Sequence, residues 1–569
     1  MPRKPVLWTQ SAMRRIFPLD PPPRPRPRPV ALSAARGETE CFQVGVHAGG
    51  LRYNYMLAEV SDLKTSRGET IPADAADVFY PEYVPVKWAV KNQRPGDVER
   101  VAPAFFPDPL PTRWEFDVAG PCAPPTRSVW VRLRVPEDAA PGVYRGTVTV
   151  TVGWRNYKAE NQEPLPDSVK TAGVAFRLRV WNFALQRKTS LLTTNWFFPN
   201  ILPLWYEPKP WGAAFWKLVE RFADDMAAHR QNVILTPLVR SDNLDTALID
   251  ITKRGRRYAF DFRRFDRWCR LFFKRGFELI EGQHFCSASS VVTGLARRTP
   301  SGAKKPLVFE NAQDPAYEDF LRQFLKALSG HLSDRGWLDR YVQHISDEPD
   351  TDQIDKYRRL AAIVRESAPG VRVIDAVGLP EFGNVMDIPV PIESKYEETL
   401  GLSGRSPEEV WTYYCCGPSG PWPNRFLDYP LIRLRIITWL CFQKRIPGFL
   451  HWAYNYWKAK GKRFLNPWSD PTGDRWPGGD TVMVYPPRYP FESDEIVGSI
   501  RWEIVREALE DYEYLTLTRA LAEDGDVEAE AILHDVARDI VPDWTTHTRD
   551  DAALETMRSR MGGLLSKRL

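Results

Sequence analysis

The sequence lacks several features that would assign a protein to a class at once. It contains no run of about 18 apolar residues, which excludes an ordinary membrane-spanning helix. Its 7 cysteines form neither a CxxC pair nor a Cys/His cluster at metal-ligand spacing, so no zinc site or disulfide scaffold is indicated. A Gly-x-Ser-x-Gly elbow, an HExxH motif and a Walker-type phosphate loop are also missing. We therefore expect no metal and no organic cofactor.

Charge of one sign is not in excess either. The net charge is +4, from 77 Lys and Arg against 73 Asp and Glu, and the basic residues are spread along the chain. This balance argues against a nucleic-acid partner. Arg3 and Lys4 are not followed by an apolar stretch, so no signal peptide is visible. The sequence as written predicts a cytoplasmic protein without membrane association, or a secreted or periplasmic one if a leader has been removed.

The chain is rich in aromatic residues, with 21 Trp and an aromatic fraction of 12%. Carbohydrate-binding clefts use aromatic faces as stacking platforms, but large β-rich cores use them as well, so composition does not decide between the two. The length of 569 residues predicts two or three domains.

The residue pattern of the first part of the chain predicts a β domain. Residues 1–29 end in the Pro/Arg-rich stretch Pro21–Pro29, which predicts a stiff polyproline II lead-in. Residues 30–186 contain short alternating segments separated by turn residues, which predicts a β-sandwich. The segments are Cys41–His47, Val129–Val135, Tyr144–Val152 and Val174–Trp181.

Residues 187–569 alternate between strand-like and helix-like segments. Roughly eight such β/α units predict a (β/α)8 TIM-type barrel with long loops, followed by C-terminal helices. A doubly wound open sheet is the alternative, but no glycine-rich phosphate loop follows the first strand. The predicted strands are Ser190–Phe198, Asn232–Val239, Glu278–Phe285, the one beginning at Tyr341, Val371–Val377, Val410–Cys415, Gly448–Tyr454 and Val482–Tyr485.

The most informative stretch is Tyr341–Pro349, an alternating strand that ends in two adjacent carboxylates, Asp347 and Glu348. A helical pattern follows from Thr351 to Ser367, so the acids lie where a strand gives way to a helix. In a parallel barrel this is the face that carries catalytic groups, which makes the pair a candidate acid/base site. The alternative is that the two acids cap the following helix.

Two other segments supply candidate binding residues. Gly448–Trp457 is the densest aromatic cluster, and Trp452 and Trp457 could form a wall against a sugar ring or pack inside the barrel. Tyr413 and Tyr414 are adjacent at another strand end, and only one of them can face the pocket if the strand is regular. His344 precedes the acids within their strand and is predicted to be a core histidine.

These motifs together resemble glycoside hydrolase family 123 and the broader family around it, domain of unknown function 4091. The resemblance rests on several motifs along nearly the whole chain. They are Ser346–Pro349, Gly448–Trp452 through Trp457, Ser499–Leu515, Arg36–Glu38, Cys41–Gln43, and the loop Pro136–Gly142 followed by Tyr144–Gly146.

The resemblance implies a β-N-acetylgalactosaminidase that uses substrate-assisted retention, in which the 2-acetamido oxygen of the substrate attacks the anomeric carbon. Glu348 would then be the general acid/base, with a pKa raised by burial near Asp347, and Asp347 would orient the acetamido group. The substrate would be a glycan or glycoconjugate. The residues expected to line the sugar subsite are Tyr414, Trp452, Tyr454, Trp457, Trp196 and Asp480.

Two alternatives remain open from the sequence. The chain could hydrolyse a glycoside without an acetamido group, using a separate nucleophile such as Asp480 or Glu281. It could also be a carbohydrate-binding protein without catalysis, in which the two acids serve only as a helix cap. The sequence predicts neither the linkage nor the oligomeric state.

Overall fold

The structure is a computed structural model. It describes residues 4–51, 53–91, 94, 96–112, 125–154, 168–239, 246–286, 292–299, 301–457, 466–473, 475–488 and 495–569. Within these ranges no helix is both long and apolar enough to cross a membrane.

The N-terminal region is built almost entirely of strands. They are β1 (Val6–Ser11), β2 (Ala31–Arg36), β3 (Thr39–His47), β4 (Tyr55–Val60), β5 (Leu63–Lys64), β6 (Thr70–Ile71), β7 (Ala76–Phe79), β8 (Tyr83–Val86), β9 (Ala104–Pro107), β10 (Pro109–Leu110), β11 (Thr126–Arg134), β12 (Gly142–Gly153) and β13 (Lys170–Ala184).

Most of these strands form two sheets around a shared core. One sheet has the order β1-β3-β11-β7, and the other has the order β2-β13-β12-β5-β6 with β4 also paired to β12. The rings of Phe42 on β3 and Phe176 on β13 lie 4.7 Å apart, so the inner faces of the two sheets meet. The alternating apolar side chains seen in the sequence fill this core, as in a β-sandwich.

The predicted lead-in of residues 1–29 is more than a strap. Its first part forms β1, which pairs antiparallel with β3 from Val6 to Ser11. The short segment Val-Leu-Trp-Thr-Gln-Ser was not predicted as a strand because the proline-rich stretch after it dominated the local pattern. Leu7 and Trp8 of this strand are buried.

The C-terminal region mixes strands and helices. Its strands are β14 (Leu192–Asn195), β15 (Val233–Thr236), β16 (Asp250–Arg254), β17 (Arg257–Asp261), β18 (Leu279–Gly282), β19 (Val292–Arg298), β20 (Lys304–Phe309), β21 (Tyr341–Gln343), β22 (Arg372–Val377), β23 (Ile388–Pro391), β24 (Thr412–Tyr413), β25 (Gly448–His451) and β26 (Gly498–Ser499). Its helices are α1 (Leu202–Tyr206), α2 (Ala213–Ala228), α3 (Arg263–Phe273), α4 (Pro315–Asp334), α5 (Ile354–Ser367), α6 (Tyr396–Ser403), α7 (Ile432–Gln443), α8 (Ile500–Glu523), α9 (Val527–Asp535) and α10 (Asp551–Arg568).

Eight of these strands run parallel, in two hydrogen-bonded sheets. One sheet has the order β15-β18-β21-β22-β23 and the other has the order β14-β25-β24. A single bridge between Ile392 and Tyr413 joins them on one side, and on the other the Asn232 amide lies 3.4 Å from the Thr193 carbonyl oxygen. Because the ladder is not continuous at these two points, closure into one barrel stays a prediction.

Two parts of the C-terminal region differ from the predicted element order. The predicted strand Val482–Tyr485 is wrong, because only Val482 and Tyr485 make isolated bridges, while the amides of Met483 and Val484 both point to the Tyr454 carbonyl. Because β23 is an additional parallel strand that was not predicted, the number of parallel strands is still eight. A four-stranded mixed sheet, β17-β16-β19-β20, was not predicted. It is formed by one hairpin between β15 and α3 and another between β18 and α4, and its central strands β16 and β19 are parallel.

Helix α8 connects the two regions of the molecule. Just before it, β26 pairs antiparallel with β10 of the N-terminal region. On the helix itself, Arg501 contacts Asp108 at 2.9 Å, Glu503 forms an ion pair with Arg132, and Tyr514 donates a hydrogen bond of 2.7 Å to Glu38. Arg501, Glu503 and Tyr514 of the segment Ser499–Leu515 therefore join the two regions.

Candidate active site

A cavity of about 1090 Å³ lies at the carboxyl ends of the parallel strands. Residues that follow β14, β15, β18, β21, β24 and β25 contribute to its wall, as the arrangement of parallel strands predicts. The inserted mixed sheet adds apolar side chains on one side. The lining includes Trp196, Pro237, Gln283, His284, Leu295, Pro306, Val308, Asp347, Glu348, Tyr413, Cys415, Cys416, Trp452, Tyr456, Arg475 and Trp476.

Asp347 and Glu348 both face this cavity, although adjacent residues of a regular strand would point apart. Strand β21 ends at Gln343, four residues before the acids. Glu348 then adopts φ +39°, in the left-handed region that non-glycine residues seldom occupy, while its amide donates to the Ala376 carbonyl at 3.1 Å. This local bend places two consecutive carboxylates on one surface.

The two acids do not cap the following helix. A short turn, Thr351–Gln353, precedes α5 and begins after Asp350, and Gln353 is the cap residue of α5. The helix-cap alternative is therefore wrong for both side chains.

Burial in the cavity wall and the neighbouring charges of Glu348 and Asp375 raise the pKa of Asp347 to about 7. The side chain is still 53% exposed, so cavity water screens part of this repulsion. Asp347 can therefore hold a proton near neutral pH. Glu348 in turn accepts a short hydrogen bond from the phenol of Tyr413.

A fully buried charged network supports the acids from beneath. His344 Nδ1 lies 2.8 Å from Asp375 and its Nε2 lies 2.6 Å from Glu281. Burial lowers the pKa of His344, but the hydrogen bonds to Asp375 and Glu281 outweigh it and raise the pKa to about 10. His344 is therefore the satisfied core histidine that was predicted, and it is cationic at neutral pH.

Asp375 transmits this support to the chain that carries the acids. Its Oδ2 accepts hydrogen bonds from the amides of Ile345 and Ser346, at 2.9 and 3.3 Å, and from the phenol of Tyr357 at 2.5 Å. Its Oδ1 also lies 3.4 Å from Nε2 of His284, which is 3.9 Å from Asp347. The carboxylate of Asp375 thus fixes the segment between β21 and the catalytic candidates.

His284, His344 and Asp375 together bring three possible metal-ligand atoms within 4.8 Å of one another. Both ring nitrogens of His344 are already within hydrogen-bond distance of carboxylates, so this residue has no nitrogen left to turn towards an ion. The group fits a hydrogen-bonded network better than a metal centre.

Comparison with known proteins decides the family. The model described as "Glycoside hydrolase 123, catalytic domain" matches residues 196–518, and the "Glycoside hydrolase 123 N-terminal domain" matches residues 21–152. The chain belongs to glycoside hydrolase family 123. It is accordingly a glycosidase, which agrees with the resemblance seen in the sequence.

Among solved structures, this family 123 enzyme is similar to a family 123 glycoside hydrolase from Clostridium perfringens, described for the details of glycolipid glycan hydrolysis. The identity is 14%, the TM-score is 0.75, and the similarity covers 100% of this chain and 99% of that one. A β-galactosidase from the psychrophilic Marinomonas ef1 shows 8% identity and a TM-score of 0.34 over 58% of this chain and 60% of that one. No curated protein matches the chain.

The family 123 enzyme places only some of the predicted binding residues in the cavity. Trp196 and Trp452 line it, and each is fixed by its indole N–H: Trp196 donates to Glu281 at 2.9 Å and Trp452 donates to Asp480 at 3.0 Å. Asp480 itself is fully buried behind Trp452, and burial raises its pKa to about 6 against the opposing charge of Arg425. Asp480 is a support for the wall and not part of its surface.

Three other predicted residues lie away from the cavity. Tyr414 packs against the ring of Phe449 at 4.9 Å, Tyr454 donates to Asp225 at 2.5 Å, and Trp457 donates to the Val484 carbonyl at 2.8 Å. The alternation expected for Gly448–Tyr454 does not apply to Tyr454, because β25 ends at His451. Of the adjacent pair Tyr413 and Tyr414, the one that lines the cavity is Tyr413.

Sequence reasoning missed several wall residues of this family 123 enzyme. Tyr456 and Trp476 extend the aromatic surface, with ring centroids 5.0 and 5.7 Å from that of Trp452. His284 was located at the end of its strand but was not assigned to the site. Cys415 and Cys416 also line the cavity, but the spacing of the cysteines in the sequence matches no metal site and does not mark them as wall residues.

Proposed function

We propose that this family 123 glycosidase hydrolyses β-linked N-acetylhexosaminides, most favourably N-acetylgalactosaminides, by a retaining mechanism assisted by the substrate. In this mechanism Glu348 protonates the leaving oxygen and later activates water. Asp347 holds the 2-acetamido group as its oxygen attacks the anomeric carbon. Tyr413, which donates a hydrogen bond to Glu348, orients that carboxyl group.

One observation carries the proposal. Among the described residues that line the cavity, Asp347 and Glu348 are the only carboxylates. A retaining enzyme with its own nucleophile needs a second carboxylate about 5 Å from the acid and across the scissile bond. Two consecutive residues at one edge do not meet that need, whereas a proton donor beside an acetamido-holding group does.

The alternative nucleophiles are occupied elsewhere. Glu281 is fully buried and accepts hydrogen bonds from Thr194 at 2.8 Å and Trp196 at 2.9 Å. Asp480 is also fully buried and accepts from Trp452. Neither lines the cavity, which argues against the hydrolase of a plain glycoside that would rely on one of them.

The same proposal includes the architecture. We infer that the two parallel sheets are arcs of one (β/α)8 barrel spanning residues 187–569, and that residues 30–186 form a β-sandwich domain to which β1 of the lead-in adds a strand. Support comes from the order of the eight strands and from the contacts at the two gaps between the sheets. A barrel brings all eight carboxyl ends to one mouth, where the cavity lies.

The test measures release of p-nitrophenol from the β-N-acetylgalactosaminide, the β-N-acetylglucosaminide and the plain β-galactoside. We expect turnover of acetamido sugars only, and a loss of about a hundredfold or more in Glu348→Gln and Asp347→Asn. Asp350→Asn is the matched control, because this exposed neighbour lies outside the cavity lining and should keep wild-type activity. Hydrolysis of the plain galactoside would contradict the neighbouring-group mechanism.

A further inference from the structure

Two adjacent thiols form part of the cavity wall. Cys415 and Cys416 follow β24 and line the same cavity as Asp347 and Glu348. Cys416 is exposed and Cys415 is partly exposed, whereas the other described cysteines, Cys41, Cys269, Cys286 and Cys441, are buried. The two Sγ atoms are 3.6 Å apart, close enough for one thiol to donate a hydrogen bond to the other.

The backbone of Cys415, the first residue of the pair, is held by two hydrogen bonds. The Cys415 amide donates to the Gly417 carbonyl at 2.9 Å, and the Cys415 carbonyl accepts from the Asn424 side chain at 3.0 Å. Bringing the sulfur atoms from 3.6 Å to the bonding distance of about 2.05 Å therefore requires side-chain rotation together with backbone adjustment at Cys416.

The environment also activates one thiol. The hydrogen bond from Cys415 lowers the pKa of Cys416, although partial burial and the carboxylates of Asp480 and Glu348 act in the opposite direction. The thiolate is the form that attacks oxidants. An accessible thiol beside a second thiol is the arrangement found in oxidation-sensitive sites.

We propose that Cys415 and Cys416 form an oxidation site in the wall of the sugar cavity, where hydrogen peroxide converts the two thiols into a disulfide between neighbours. The Cys416 thiolate attacks one peroxide oxygen, the O–O bond breaks, and hydroxide leaves to give a sulfenic acid. The Cys415 thiol then attacks that sulfur, the S–O bond breaks, and the S–S bond forms. In sum, two thiols and one hydrogen peroxide give one disulfide and two waters.

This disulfide should be easy to reduce. Neighbouring Cα atoms are about 3.8 Å apart, which is shorter than the usual span of about 4.4 to 6.8 Å across a disulfide. The resulting strain makes such a bond labile and its formation reversible. Tyr413, the partner of Glu348, is two residues upstream, so distortion of this turn should disturb the acid. This effect on hydrolysis rests on the proposed function, whereas the oxidation itself does not.

The experiment treats the reduced protein with hydrogen peroxide, then measures intact mass, maps the cysteine peptides without reduction, and assays the acetamido sugar. We expect loss of the mass of two hydrogen atoms, an S–S link between Cys415 and Cys416, and a fall of about tenfold or more in kcat/KM that dithiothreitol reverses. Cys415→Ser and Cys416→Ser should each abolish the link. Cys441→Ala, which removes a buried thiol that does not line the cavity, should still form it.

The mass and the peptide map do not depend on turnover, so an inactive protein still tests the oxidation site. A protein that keeps both thiols free in peroxide, or that stops at sulfinic acid on Cys416, would overturn the proposal. Formation of the disulfide without any change in hydrolysis would contradict the proposed effect of oxidation on the active site. If the wild type hydrolyses none of the sugars but forms the link, the proposed function fails and the oxidation site stands.

Discussion

Tyr413 and Tyr414 are neighbours in the chain but contact different parts of the molecule. Tyr413 donates to Glu348 in the cavity, whereas Tyr414 packs on Phe449 and His451. Because removing one partner of a hydrogen bond typically costs about 1 to 3 kcal/mol, Tyr413→Phe should lower kcat/KM by about fivefold to a hundredfold. The measurement is steady-state release of p-nitrophenol. Tyr414→Phe, the matched control, should lower it much less, and an equal effect of both variants would contradict the assignment.

Asp347 should make the folded protein less stable as the pH rises. Its pKa is about 7 in the fold, against about 3.9 in an unfolded chain, so the neutral form is favoured by folding. That contribution is complete below about pH 4 and is lost as the pH rises towards 7. Asp347→Asn should therefore raise the melting temperature at about pH 8 by roughly 1 to 2 °C and change it little near pH 4.

Thermal unfolding of wild type, Asp347→Asn and the control Asp350→Asn at both pH values checks this prediction. The expected gain is small because water in the cavity screens a side chain that is 53% exposed. A gain of the same size at both pH values would show that the effect does not come from ionisation of Asp347.

At the residue scale, the sequence identified the catalytic candidates but not their surroundings. Asp347 and Glu348 were recognisable because two acids at the end of a strand form a local pattern. The choice between Tyr413 and Tyr414 failed because β24 is only two residues long, so local alternation cannot fix which side chain faces inwards. His284 and Asp375 reach the site through contacts with residues tens of positions away, and no local pattern records such contacts.

At the element scale, Asp511 on α8 joins three parts of the fold. It accepts from Arg435 on α7 at 2.6 Å and from Arg558 on α10 at 2.8 Å, and Arg558 also contacts Glu38 of the N-terminal region. Asp511→Ala would leave two buried guanidinium groups short of a partner, which typically costs about 3 to 5 kcal/mol. The midpoint of urea unfolding should fall accordingly.

A surface aspartate provides the comparison. Asp535 also contacts two arginines, Arg538 and Arg560, both at 2.8 Å, but these arginines are largely exposed. Asp535→Ala should therefore cost no more than about 1 kcal/mol. Similar midpoints for the two variants would contradict the view that burial of the Asp511 network matters for stability.

Long periodic segments were the easiest elements to predict. The helical pattern expected from Thr351 to Ser367 agrees with α5, which begins three residues later and ends at the same residue. The expected strand from Tyr341 was too long, because the amides of Ile345 and Ser346 donate to the Asp375 side chain and not to a neighbouring strand. Local alternation indicates a strand but does not reveal which partner its backbone will find.

At the scale of the whole molecule, the charged residues of α8 form one side of the contact between the two regions. Arg501, Glu503 and Tyr514 of this helix contact Asp108, Arg132 and Glu38, which all lie in the N-terminal region. Arg501 and Asp108 are both fully buried, so separating the two regions would leave these charged groups without their partners. The sequence pattern predicted a β-rich region, an α/β region and the boundary between them near residue 186. The pairings between the regions join residues hundreds of positions apart and are visible only in the structure.

The left-handed backbone at Glu348 sets stability and turnover against each other. Asparagine and glycine suit φ +39° better than glutamate does, and an ill-suited residue costs about 1 kcal/mol there. On the proposed mechanism, the enzyme keeps a side chain that weakens its own fold because the general acid must be a glutamate. Variants screened for heat resistance alone would then drift towards Glu348→Asn, which the proposed mechanism predicts to be inactive, so any such screen needs counter-selection for sugar hydrolysis.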